Sequence, residues 1–192
     1  SIEYFKNHGP IGCRDMYTHE LLQEYGVDSY VSNCLTTTFP TRKKKETQTK
    51  IFVTSKERDI LNILPPNIRD ECIHIDHYSD TSDFDSNVKS AQKLLDNYRD
   101  NAKLVITTFL HSALPCIAMG IPVIVFYPNY PTDSEKGISD RERMSTLKTM
   151  TRCYNFSEVD DVDWNPCPVD IDDMKSNLIA DFKNKVESIL GE

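Results

Sequence analysis

The chain has 192 residues, a formal net charge of −8, 39% hydrophobic and 9% aromatic residues. This composition suits one large domain or two small ones and excludes a wholly disordered chain. A surplus of acid argues against a general polyanion binder, so no nucleic-acid partner is expected, and no apolar run reaches the ~20 residues of a membrane span.

Taken in chain order, residues 15–25 carry Tyr17, Leu21, Leu22 and Tyr25 at helical spacing, with Gly26 as a C-terminal stop. Two short extended pieces are expected next, at 29–32 and 35–39. Pro40 and the basic run Arg42-Lys43-Lys44-Lys45 then mark a boundary. This run reads as a solvated interdomain loop rather than a nucleic-acid patch.

From Ile51 onward, strand and helix patterns alternate. Strands are expected at 51–54, 72–77, 104–107 and 122–126, and helices at 57–64, 86–99 and 112–119. Pro65 and Pro66 terminate the first of these helices. Short apolar strands alternating with helices point to parallel pairing through βαβ crossovers. Residues 127–137 read as a turn-rich loop and 140–149 as a helix. Residues 157–170 read as an irregular acidic stretch, and 171–190 as a long amphipathic helix packed on the sheet. The expected fold class is α/β with a Rossmann-like parallel sheet.

The six cysteines show no Cys-x-x-Cys pair and no zinc spacing with histidine, so neither a metal nor another cofactor is expected. Cys72 and Cys116 sit among apolar residues and read as buried thiols. Asn155-Phe156-Ser157 matches a glycosylation sequon, a triplet too common to carry weight. The chain opens on Ser1 without a signal-like apolar segment, as expected of an excised fragment. A cytoplasmic location is expected, with a secretory lumen as the alternative.

Residues 104–126 carry the chemistry. A buried strand ends near Thr107 or Thr108 and a helix begins within a few residues. In open parallel sheets such junctions bind anions, because helix N-termini offer backbone N–H groups there. The Thr107, Thr108 and Ser112 hydroxyls and the His111 imidazole stand at this junction. A purely structural His111, bonded to a nearby carbonyl, is the competing reading. Pro115 fits without cost only in the first turn of the helix.

The pattern Thr108-x-Leu110-His111-x-Ala113-Leu114-Pro115, then Ala118-x-Gly120-x-Pro122-Val123, resembles the second-lobe signature of polysaccharide pyruvyl transferases. The opening Gly9-Pro-Ile-Gly-Cys-Arg-Asp15, Thr18, Leu21-Leu22, Gly26 and Tyr30-Val-Ser-Asn-Cys-Leu-Thr36 resembles the end of that family's first lobe. Such a resemblance implies a GT-B-like pair of Rossmann-like lobes. Residues 1–45 would then be the tail of a partial first lobe, and 46–192 the second lobe with its C-terminal helix. The glycine-rich strand and loop that open the family's first lobe are not found in the sequence, so a fragment or a naturally short relative is expected.

The implied activity is transfer of a pyruvyl group from phosphoenolpyruvate to a terminal sugar of a glycan, as a cyclic ketal. His111 matches the motif histidine and would act as general acid or phosphate contact. Arg14 matches a first-lobe arginine that would grip carboxylate or phosphate, an ion pair with Asp15 being its structural alternative. Leu110 would offer a backbone N–H. Thr107, Thr108, Ser112 and Arg141 are further substrate-binding candidates. Phe109 departs from the family, which commonly has arginine there; Arg141 or Arg143 would have to compensate for the lost charge-assisted contact.

His77 follows a predicted strand and is a candidate base for the acceptor. Asp76 stands beside it, and the Asp80, Asp83 and Asp85 cluster reads as a solvated acidic loop. Two alternatives share the scaffold: a nucleotide-sugar glycosyltransferase of GT-B type, and a non-catalytic glycan-binding relative. An incomplete first lobe would expose apolar surface, which a homo-oligomer would cover.

Overall fold

The computed structural model describes residues 2–55, 60–77, 82–127 and 144–191. The described residues fall into two compact units. One lies within Ser1–Thr38, Tyr130–Thr151 and Ile171–Glu192, the other within Phe39–Asn129 and Arg152–Asp170.

The first unit holds helix α1 (Ile2–Asn7), strand β1 (Ile11–Cys13), helix α2 (Met16–Glu24) and strand β2 (Ser29–Val31). Strands β1 and β2 pair in parallel, with Gly12 opposite Tyr30. Helix α2 forms where the apolar spacing places it. The Asp15 carboxylate accepts from the Thr18 N–H at 2.9 Å and so caps its start. Gly26 follows the end with φ of +67°, a conformation that side chains with a Cβ resist. Cys13, Leu22 and Val27 form the small core.

Residues 35–38 depart from the expected extended piece: Leu35–Thr38 is a 3₁₀ turn. Thr37 and Thr38 donate their hydroxyls to the Cys34 and Leu35 carbonyls, at 2.6 and 2.8 Å, which closes the backbone into a turn. Later in the chain come the described part of the predicted 140–149 helix, α7 (Ser145–Met150), and the long helix α8 (Asp172–Leu190). Helix α8 was expected on the large sheet, yet it packs against the 3₁₀ turn of the first unit. Ile171 and Leu178 are buried there, while Phe182, Val186 and Ile189 farther along the stripe are not.

The second unit is a five-stranded, all-parallel sheet. Its strands are β3 (Lys50–Thr54), β4 (Cys72–His74), β5 (Ala102–Thr107), β6 (Val123–Phe126) and β7 (Cys153–Tyr154), in the order β4-β3-β5-β6-β7. Numbered from its own first strand this is the 2-1-3-4-5 order of doubly wound sheets. The Rossmann-like parallel α/β expectation therefore holds. Strand β7 escaped sequence reading because two residues show no periodicity.

Both faces of the sheet are covered, which explains the uninterrupted apolar runs. On one face Ile51, Val53, Leu104, Ile106, Ile124 and Phe126 pack with Ile60, Leu64 and Ile68. The latter three come from or beside helices α3 (Ile60–Ile63) and α4 (Pro66–Glu71). Pro65-Pro66 ends the first helix but also starts the second, since proline at a first helical position loses no bond. Residues 162–164, expected to be irregular, bring Val162 and Trp164 onto this face, with the Trp164 ring 6.1 Å from Phe126.

Helices α5 (Phe84–Asn101) and α6 (Leu110–Ala118) pack next to β5. The Tyr98 ring of α5 meets Phe52 of β3 edge-on at 5.4 Å. Helix α6 is buried on nearly every side, His111 being its exposed residue. Pro115 lies well inside α6, not in its first turn, and removes the N–H that would face the His111 carbonyl.

The basic run is not a freely solvated loop. Arg42 donates to the Ala102 carbonyl at 2.6 Å and to the Tyr98 and Arg99 carbonyls at 3.5 Å, at the C-terminal end of α5. Lys45 pairs with Asp100 at 2.6 Å. Cations at a helix C-terminus meet its unpaired carbonyls and the negative end of its dipole, so this segment straps α5 down.

Candidate functional site

The order of the sheet reverses between β3 and β5. Ligands of doubly wound sheets bind outside the carboxyl ends of the strands at such a switch point. Two threonines occupy this place: Thr54 ends β3, Thr107 ends β5, and the two are direct partners in the last rung. Both side chains fall on the face shared with Phe52, because residues two apart on a strand share a face.

Thr54 and Thr107 are fully buried, and their hydroxyls lie 2.7 Å apart. Thr107 donates to the Thr54 carbonyl at 3.0 Å and accepts from the Phe109 N–H at 2.9 Å. The chain leaving β5 is held a second time where the Thr108 N–H donates to the same Thr54 carbonyl at 3.1 Å. The Thr108 hydroxyl donates to Ser55 at 3.0 Å. Buried polar groups need partners, and here the pairing fixes the path from strand to helix.

Helix α6 begins at this junction with Phe109 as its N-cap, a residue with no side-chain acceptor for the first-turn N–H groups. Leu110 is buried and His111 exposed. Ser112 is fully buried; its hydroxyl lies 3.2 Å from that of Thr54 and 3.2–3.3 Å from both ring nitrogens of His77. Thus Thr107, Thr108, Leu110, His111 and Ser112 gather on one edge, as their spacing predicts. Thr107 and Ser112 point inward, and their hydroxyls bond protein neighbours.

His77 lies three residues past β4 and is half-buried. Its Nε2 is 2.8 Å from the Tyr98 hydroxyl, and its ring stacks on Phe109 with centroids 5.6 Å apart. The strand expected to run through 77 stops at His74, although the Ile75 N–H still bonds the Val53 carbonyl at 2.9 Å. Burial lowers the His77 pKa below the ordinary 6.5; nearby Asp76 opposes this, and the charge of His111 adds to it. His77 is therefore a neutral imidazole at pH 7. Tyr98 is buried, and burial pushes its hydroxyl up so that it stays protonated.

Sequence reading singled out His77 but missed Thr54, Ser55 and Tyr98. The available signal was that two apolar strands, 51–54 and 104–107, both end in threonine. Tyr98 looked like any apolar residue on a helix face.

Arg14 belongs to the other unit. Its Nε lies 3.8 Å from Asp15, and its carbonyl accepts from the Thr146 hydroxyl at 3.1 Å. Arg141 and Arg143, like Asp80, lie outside the described residues. Asp83 caps α5 by accepting from the Ser86 N–H at 2.8 Å, and Asp85 sits in the first turn, where carboxylates oppose the helix dipole. Cys116 is fully buried, as read, whereas Cys72 is only partly covered. Among the described residues no group of three His, Cys, Asp or Glu side chains could hold a metal ion. No helix among them is long and apolar enough to cross a membrane.

No curated protein and no solved structure matches the chain. A family model described as polysaccharide pyruvyl transferase matches residues 2–130. That stretch includes Arg14, the Thr54–Thr107 rung, His77 and the His111 turn. The matched span is more than half of the 192 residues, and the chain belongs to the polysaccharide pyruvyl transferase family.

Proposed function

We propose that the chain transfers a pyruvyl group from phosphoenolpyruvate to a terminal sugar of a glycan as a cyclic ketal. The observation that carries this reading is the place of the motif histidine. His111 is the exposed residue of an otherwise buried helix, in its first turn, at the switch point of a parallel sheet. First-turn N–H groups and the positive end of the helix dipole favour an anion such as the donor's phosphate or carboxylate.

In this reading His111 protonates the methylene carbon of the donor or contacts its phosphate. The Leu110 N–H supplies a donor at the mouth of the junction, whereas the Thr108 N–H and hydroxyl are given to Thr54 and Ser55 and hold its path. Thr107 and Ser112 act by holding the junction's shape rather than by touching substrate, because both are fully buried. Arg14 is assigned to the donor's carboxylate or phosphate.

The test is incubation with phosphoenolpyruvate and a β-galactoside, following phosphate release and the mass of the sugar. Turnover that His111→Ala abolishes is the expected result. Absence of turnover in both wild type and His111→Ala would overturn the reading. Thermal protection by UDP or GDP but not phosphoenolpyruvate would point to a nucleotide-sugar transferase. Glycan binding without any anionic donor would point to a non-catalytic relative.

A further inference from the structure

Phe109 breaks two local rules at one place. It is the N-cap of α6, where Ser, Thr, Asp or Asn would accept a first-turn N–H, and its side chain accepts nothing. It is also a partly exposed aromatic just past the carboxyl end of β5, at the switch point of the sheet. A single exposed apolar residue says little by itself. This one is held at both ends. Its N–H donates to the buried Thr107 hydroxyl at 2.9 Å, which fixes the backbone. Its ring stacks on His77, with centroids 5.6 Å apart and planes 24° from parallel. The imidazole is fixed in turn, with the Tyr98 hydroxyl 2.8 Å from Nε2 and the Ser112 hydroxyl 3.2 Å from Nδ1. This bracing holds whichever ring nitrogen carries the hydrogen. A ring already fixed in place loses little freedom when a ligand settles on it, and a local rule that fails without a structural gain marks a functional position.

We propose that Phe109 is a specificity-determining residue of the acceptor subsite: its ring, braced by His77, takes the C–H face of a neutral pyranose. This rests on the pyruvyl-transfer reading above, which needs a sugar beside His111, the exposed residue two positions on. A pyranose is polar around its rim, but its C–H bonds can gather on one face. In a β-galactoside the axial hydroxyl at the fourth carbon leaves the hydrogens of the third, fourth and fifth carbons as one apolar patch. In the epimeric β-glucoside the hydrogen of the fourth carbon points to the opposite face, and the patch is broken. Stacking the unbroken patch on Phe109 takes both surfaces out of water. It also turns the axial hydroxyl away from the ring, where other groups of the site can reach it. A phenyl ring offers an anionic sugar no charge contact, so this position selects by shape and apolar area.

The experiment uses the full chain in two arms. In the first, saturation-transfer NMR without phosphoenolpyruvate follows magnetisation from aromatic protein protons to the sugar. It should concentrate on the hydrogens of the third, fourth and fifth carbons of methyl β-galactoside, with a weaker signal for methyl β-glucoside. Phe109→Leu should raise Kd for the galactoside about tenfold and erase the preference between epimers, whereas Phe109→Tyr, which keeps a ring, should retain both. Saturation spread evenly over the sugar, equal binding by Phe109→Leu, or a wild type that binds no sugar would overturn the inference. Should Phe109→Leu fail to fold, the wild-type saturation pattern decides alone. In the second arm, the loss in Phe109→Leu should fall on KM for the sugar, about tenfold, rather than on KM for phosphoenolpyruvate. Turnover indifferent to Phe109→Leu would defeat this role and leave the pyruvyl-transfer reading intact. Phe109-dependent sugar binding without turnover would defeat the pyruvyl-transfer reading and leave the sugar subsite standing.

Discussion

Replacing Tyr98 by phenylalanine removes a single oxygen from the centre of the second unit. The ring, its packing and its edge-on contact with Phe52 remain, so no cavity of consequence opens. What is lost is the partner of His77 Nε2 at 2.8 Å. Removing one side of a buried hydrogen bond costs about 1–3 kcal/mol. His77 keeps Ser112 and is only half-buried, so the middle of that range applies, about 2 kcal/mol. For a chain of this size that corresponds to a fall in Tm of about 4–8 °C. Trp164, the chain's single tryptophan, packs on the core of this unit, so its fluorescence in a urea titration reports the loss. The midpoint should fall with an unchanged slope. Thr54→Val, alone and combined with Tyr98→Phe, should reveal a coupling of about 1 kcal/mol. A loss under about 0.5 kcal/mol, or strict additivity in the cycle, would refute the claim that the hydroxyls act as one network.

Three further outcomes follow from the same structure. Arg42→Ala should cost about 1.5–3 kcal/mol by the same fluorescence titration, because a charged donor leaves the carbonyls at the end of α5; a loss no larger than that of Lys43→Ala would discount the strap. Gly120→Ala should cost about 1–2 kcal/mol, since Gly120 has φ of +70° and an added Cβ would stand 3.3 Å from Thr41 Cγ2; Gly120→Asn should be milder, and equal stability of all three would contradict the assignment. Stability should also fall on acidification. Burial lowers the pKa of His77, so the unfolded chain takes up this proton first. The contribution is whole above pH 6.5 and is lost as pH drops toward and through the folded value, at up to about 1.4 kcal/mol per pH unit. His77→Gln should remove that part of the slope below pH 6.5, and urea titrations at several pH values would detect a slope left unchanged.

The elements that local chemistry controls were legible in the chain itself. Apolar runs bounded by turn residues place β3, β5 and β6, and periodicity places α2, α5 and the first turns of α8. Asp15 and Gly26 bracket α2 through capping geometry that any short stretch can reveal. The motif around His111 identified the strand-to-helix junction and the family. Only the tertiary structure decided which strands are neighbours, and pairing β3 with β5 is what sets Thr54 against Thr107. Residues 53 positions apart carry no mark of adjacency in a single sequence, because register is chosen by packing across the whole sheet. For the same reason Tyr98 changed from a core aromatic to the partner of His77, and the basic run changed from a loop to a strap. Spacing along the chain identified the histidines; their protonation states depend on burial and on neighbours that only folding assembles.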